Sequence, residues 1–155
     1  MNEKMTSENV AQSLGSGLAG AVALTALHES ARRLVADAPR ADLLGMRALA
    51  KGIRATGHQP PPDDELHTLA LAGDIVANSL YYSLVGVGGP RNAWLLGSAL
   101  GAVAGLGAVA LPGPLRLGTE PSARTPATAA MTVGWYLVGG LVAAAVYRLW
   151  ERTSH

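Results

Sequence analysis

Hydrophobic and small residues fill four long stretches of this chain on every side of a helical projection, with no continuous polar stripe between them. Asn9 to Leu27 carries no charge in 19 residues, Asn92 to Leu115 none in 24, and Thr125 to Tyr147 none in 23. Leu66 to Pro90 holds a single acidic residue, Asp74, in 25, together with His67. A helix rises about 1.5 Å per residue, so about 20 residues cross a hydrocarbon core. Each stretch is long enough to do so, and each is bounded by charges or by proline and glycine. The pattern predicts an all-α integral membrane protein with four transmembrane helices, over approximately 9–29, 66–88, 92–113 and 126–149 of a single membrane domain, residues 1–155. A soluble bundle of small-residue helices is the alternative, and it would need the amphipathic faces that these stretches lack.

The loop from Ser30 to Glu65 is too long for a plain connector and has its own periodicity. Over 42–55, Leu43, Met46, Leu49, Ala50 and Ile53 share one helical face, and Arg47, Lys51 and Arg54 share another. That pattern predicts an interfacial amphipathic helix, with Asp42 as its N-cap and the three basic residues against anionic lipid. His58-Gln59-Pro60-Pro61-Pro62 follows as a short polyproline spacer, and Asp63, Asp64 and Glu65 open the second span.

Small residues at four-residue spacing let helix backbones approach closely in lipid. Ala93, Gly97, Gly101 and Gly105 form such a stripe in the third segment, continued by Ala108. It predicts specific pairing, within the chain or between copies in a homo-oligomer through Gly97, Gly101 and Gly105. On this reading Gly101→Leu disrupts packing and Gly101→Ala is mild. Ser13, Gly17, Ala21 and Thr25 make a similar stripe in the first segment, where composition alone explains the spacing.

Composition agrees with the membrane reading: charged residues are 15% of the chain, against about 25% for a typical soluble domain. The absence of cysteine removes disulfides, thiolate metal sites and thiol nucleophiles from consideration. A net charge of +1 gives no reason to expect nucleic acid. With four spans, Lys4, Arg91, Arg148 and Arg152 lie on one side, and Arg32, Arg33, Arg40, Arg47, Lys51, Arg54, Arg116 and Arg124 on the other. Basic residues stay cytoplasmic, which puts both termini outside. Few lysines among many arginines, alanines and glycines suggest a GC-rich bacterial genome, hence a bacterial inner membrane. Ala21-Val22-Ala23 resembles a signal-peptide cleavage site, but Glu3 and Glu8 offset Lys4, so the first segment reads as retained. Tyr81, Tyr82, Trp94, Tyr147 and Trp150 fall towards the side opposite the basic loops, as an interfacial belt would.

Chemistry is expected where polarity is costly. Asp74 stands about eight residues, or about 12 Å, inside its span, and a charged aspartate there needs protein groups, water or a proton. His67, Asn78 and Tyr81 share its stripe, while the fourth span offers Thr132 at comparable spacing. His28 and Glu29 end the first span, and Arg124 flanks Thr125-Pro126, a helix start whose free amides suit a phosphate. The candidate ligand-binding set is therefore Asp74, Asn78, His67, Tyr81, His28, Glu29, Arg124 and Thr132. Glu29 also pairs readily with Arg32 or Arg33 at helical spacing, which needs no function. A haem or metal at His28 and His67 is a further alternative, although no compact multi-histidine motif accompanies it and no cofactor is expected.

No nucleophile elbow, P-loop or paired acidic motif occurs. Three classes of function remain. The leading one is a binding or permeation protein with a polar intramembrane pocket around Asp74. The others are an intramembrane enzyme acting on a lipid or isoprenoid phosphate, and a structural or assembly subunit of a membrane complex.

Overall fold

Turn chemistry sets the element boundaries in the computed structural model, which describes residues 7–153. All regular structure among these residues is helical: α1 Ser7–Leu34, α2 Ala41–Ala55, α3 Asp63–Ser83, α4 Gly89–Ala110, α5 Glu120–Ala123 and α6 Pro126–Thr153. Pro126 begins α6, where a missing N–H costs nothing, and Thr125 Oγ1 accepts the Thr128 N–H at 3.1 Å as a true cap. Past the end of α2 the chain turns at Gly57, whose φ of +83° a β-carbon would strain. After α3 it tightens into a 3₁₀ turn, Leu84–Gly88, and reverses at Gly89 with φ +71°. Tyr81 Oη donates to the Leu100 carbonyl at 2.9 Å; α1 packs antiparallel to both α3 and α6, and α4 packs antiparallel to α6, so α3 and α4 run antiparallel.

Three continuous helical stretches are long and apolar enough to cross a membrane: Glu8–Leu34, Asp63–Ala110 and Pro126–Glu151. The middle one contains both α3 and α4 with the reversal between them. Burial is inverted relative to a soluble protein. Leu95, Val103 and Leu106 of α4 are 71%, 64% and 59% exposed, and Val10, Leu14, Leu18 and Val22 form an outward row on α1. The interior instead holds Ala21, Ala93, Ala143, Ala144, Ser13, Ser16, Thr128 and Thr132. Leu24, Tyr82, Val85 and Tyr147 are buried among them, and the outward apolar rows suit a hydrocarbon solvent, where tight backbone packing drives association.

The stripe Ala93, Gly97, Gly101 and Gly105 is buried against α6 of the same chain. Gly97 meets the Gly140 carbonyl, Gly101 meets Leu137 and the Tyr136 carbonyl, and Gly105 meets Val133. This face is covered within the chain, so it is not free to receive a second copy. The mild effect expected of Gly101→Ala is also corrected, because a β-carbon there would lie 2.6 Å from the Leu137 Cα and 2.7 Å from the Tyr136 oxygen, both backbone. Composition did not create the α1 stripe idly either: Gly17 faces the backbone of Ser79 and Ser83, and Gly20 faces Gly139 and Ala143. α1 thus sits in a cleft between α3 and α6.

Two further expectations change. Tyr82 and Tyr147 are core residues, 0% and 3% exposed, and only Trp94 and Trp150 keep the exposure of a belt. A tyrosine inside an apolar bundle needs a partner for its hydroxyl, and Tyr82 Oη finds the Tyr136 carbonyl at 2.7 Å. Asp42 is not the N-cap of α2. Arg40 holds that position, and the Asp42 carboxylate lies in the first turn, turned back towards arginines.

The basic face of α2 is partly engaged. Lys51 Nζ donates to the Leu115 carbonyl at 2.6 Å and Arg47 Nη1 to that of Leu117 at 2.7 Å, tying α2 to the α4–α5 segment. Between those two carbonyls Arg116 adopts φ +54°, a conformation that costs a non-glycine residue about 1–2 kcal/mol and that the two tethers hold in place. Arg54 is exposed.

Candidate functional site

α1 and α3 run antiparallel and α2 lies across them, so residues about two turns from the end of α1 meet residues in the first half of α3. A cavity forms there, lined by Thr25, His28 and Glu29 of α1, by Ala41, Asp42 and Gly45 of α2, and by His67, Ala70, Leu71 and Asp74 of α3. Its free volume is about 20 Å³, enough for about one water molecule. Gly45 of α2 lies over it, facing Ala70 of α3.

Three buried atoms in the wall, Thr25 Oγ1, His28 Nε2 and His67 Nε2, have no hydrogen-bond partner within the protein. Such groups in a protein interior are normally satisfied, by protein or by ordered water. A neutral His28 ring with its proton on the other nitrogen would present Nε2 to the cavity as an acceptor. Its ring is also wedged edge-on between Trp135 and Tyr136, at centroid distances of 5.1 and 5.8 Å, so its orientation is set by α6. Asn78 stands beside Asp74 one turn further along α3.

Ion pairs close the α2 end of the cavity. Asp42 has a side chain only 4% exposed and receives Arg40 Nε at 2.9 Å, Arg40 Nη2 at 2.7 Å and Arg32 Nη1 at 3.4 Å. Arg32 also binds Glu29 at 2.7 Å, with Arg33 behind it at 3.9 Å, the helical pairing that the sequence suggests. Burial by itself pushes the Asp42 carboxyl up, but the Arg40 hydrogen bonds and charge, the Leu43 N–H and Arg32 outweigh it and hold the group below the usual carboxylate range. The same contact raises Arg40. A depressed carboxylate contributes stability that is fully present above its unfolded value near 4 and is lost as pH falls through the lower folded value. Docking of α2 should accordingly loosen below about pH 4, and Asp42→Asn should loosen it at neutral pH by about 1–3 kcal/mol. Amide exchange of α2 in nanodiscs checks both, and equal protection of the variant and native chains at pH 7 would remove the latch.

Of the residues selected from sequence, His28, Glu29, His67 and Asp74 meet at this cavity. Asn78 touches it only through Asp74, and with Tyr81 it lines a separate groove between α3 and α4. Arg124 and Thr132 lie elsewhere. Arg124 donates to the Ala36 carbonyl at 2.8 Å and pairs with Asp37 at 3.1 Å, fastening the α1–α2 linker. Thr132 donates to carbonyls of Ser122 and Thr128, and Thr128 itself to that of Asp37. With Thr125 engaged as a cap, the start of α6 is a structural joint. Thr25 and Asp42 were overlooked as site residues. The signal for Thr25 was its place one turn before His28 and Glu29, and that for Asp42 was an acid two residues after an arginine.

A haem bracketed by His28 and His67 does not fit a cavity of this size. Among the described residues no three histidine or carboxylate side chains are grouped to hold a metal ion. Comparison with known protein families, with curated proteins and with solved structures returned no match.

Proposed function

We propose that this chain is a four-span protein of the bacterial inner membrane, both termini outside, that binds a proton at the His28–His67–Asp74 cavity and passes it onward. The observation that carries this reading is the convergence of three unpartnered buried atoms, Thr25 Oγ1, His28 Nε2 and His67 Nε2, on a water-sized space beside Asp74. A water held by these groups links two imidazoles to a carboxylate, which is the composition of a proton relay. The charged groups facing it are Glu29 from α1 and Asp42 from α2, each already paired with arginine; α6 presents the Tyr136 ring to His28.

Four spans are favoured because α3 and α4 are antiparallel helices of 21 and 22 residues, each about 30 Å long. Positive residues concentrated on the α2 side favour that side as cytoplasmic. Beyond the cavity, Leu24, Tyr82, Val85 and Ala143 form a dry plug, so the cavity is served from the α2 side and onward passage requires the plug to yield. The phosphate-processing enzyme has less support, since Arg124 is tied to Ala36 and Asp37 and the space between the imidazoles is water-sized.

Proteoliposomes enclosing a pH-sensitive dye test the proposal. Under an imposed potential the native chain should acidify the lumen faster than empty liposomes do. Asp74→Asn, which keeps shape and the Asn78 contact, should return the rate to that of empty liposomes. Native protein that is no faster than lipid alone, or Asp74→Asn that is as fast as native, would leave the structural reading of Asp74 standing.

A further inference from the structure

Two clefts outside the polar cavity adjoin one another and differ sharply in character. One, of about 430 Å³, lies between α2, the start of α3 and the α4–α5 segment, and gathers Arg47, Lys51, Arg54 and Arg116 around a single acid, Asp63. The other, of about 550 Å³, runs between α3 and α4 along Val103, Gly107, Leu111 and Leu115 and ends at Leu44 and Leu117. Leu117 lines both. Each falls within the roughly 300–1,000 Å³ of ligand clefts.

We propose that these clefts together form a binding site for one phospholipid of net negative charge, its phosphate headgroup in the basic cup and a hydrocarbon chain in the α3–α4 groove. Charge fixes the headgroup. Arg54 and Arg116 form no ion pair among the described residues, Lys51 keeps two N–H donors after bonding Leu115, and only Arg47 is partly neutralised, by Glu120 at 3.5 Å. Arginine forks and a lysine point charge around a cleft are the usual means of holding a phosphate. The groove supplies the complement. Its lining is hydrocarbon apart from Asn78, Tyr81 and Tyr136, and the Tyr81 hydroxyl is engaged by the Leu100 carbonyl. Val103, Leu111 and Leu115 are more than half exposed along it, continuous with the outward apolar face of α4. A free phosphate would leave the groove uncovered, and an uncharged lipid would leave the cup unpaired. The tethers from Arg47 and Lys51 to the carbonyls on either side of Arg116 set the wall between cup and groove.

The site differs from general attraction of a basic helix to an anionic surface, because both halves must contribute. Native mass spectrometry of the full chain, released from micelles doped equally with phosphatidylglycerol and phosphatidylcholine, reads this directly. The native protein should retain phosphatidylglycerol with at least a tenfold preference. Neutralising both unpaired arginines, Arg54→Gln with Arg116→Gln, should bring that preference down to about one, since two basic contacts are worth roughly 30-fold at most. Gly107→Leu fills the groove from a position where a β-carbon meets nothing closer than Leu111 at 3.6 Å, away from the α6 contact. It should lower retention about tenfold at unchanged thermal stability, by removing space for several methylenes. Inorganic phosphate should not compete at millimolar concentration. Equal retention of the two lipids, full retention in Gly107→Leu, or displacement by inorganic phosphate would each overturn the proposal.

Discussion

Gly101→Leu is expected to abolish the folded four-helix assembly, and even Gly101→Ala should destabilise it by about 1–3 kcal/mol, the usual cost of overpacking. The first added carbon meets main-chain atoms, the Leu137 Cα at 2.6 Å and the Tyr136 oxygen at 2.7 Å, which cannot rotate aside as a side chain would. Relief requires α4 and α6 to separate along their whole contact, at Gly97–Gly140 and Gly105–Val133 as well. Separation also strains the Tyr82 bond to the Tyr136 carbonyl, through which α3 is fastened to the same stretch of α6. Gly134→Ala is the control, because that glycine, also on α6, has nothing within 4 Å of an added β-carbon. Thermal unfolding in micelles should rank native and Gly134→Ala together, Gly101→Ala below them, and leave Gly101→Leu without a cooperative transition. Equal midpoints for the two alanine variants would mean that α4 and α6 are not held as closely as described.

His67→Leu should lower proton flux by roughly 10²-fold, the lower end of what one positioned proton-transfer group contributes, without lowering stability. His67 Nε2 has no partner within the protein, so exchanging the ring for an apolar side chain gives up only its bond to the proposed water and breaks no contact between helices. The thermal midpoint should therefore hold or rise while transport collapses. A residue serving only to lock helices together would show the opposite, a lowered midpoint with any loss of flux following from unfolding. Flux retained in His67→Leu would place the relay elsewhere, even if Asp74→Asn remained inactive.

Helices and their apolar character were legible from sequence because both depend on neighbours within a few residues. Charge-free runs of 19 to 24 residues, Pro126 after Thr125, and the basic periodicity of Arg47, Lys51 and Arg54 all act locally. An aspartate inside an apolar run and two histidines near helix ends are conspicuous for the same reason, and the packing brings these three to one cavity. Tertiary packing alone decided which faces meet. Gly97, Gly101 and Gly105 promised a close contact, but only the antiparallel return of α6 made that contact internal. Asp42 read as a helix cap until α2 folded back and two arginines claimed its carboxylate in a nearly buried setting. Tyr81 and Tyr82 are adjacent in sequence, yet about 100° of helical rotation sends one towards α4 and the other into the α6 core. Arg124 and Thr132 carry the residue types of a binding site, but main-chain carbonyls 10 to 88 residues away occupy them. Periodicity specifies a helix and the composition of its faces; the hydrogen-bond partner of a buried polar atom depends on which other helix arrives there, and that is set by the packing of all of them together.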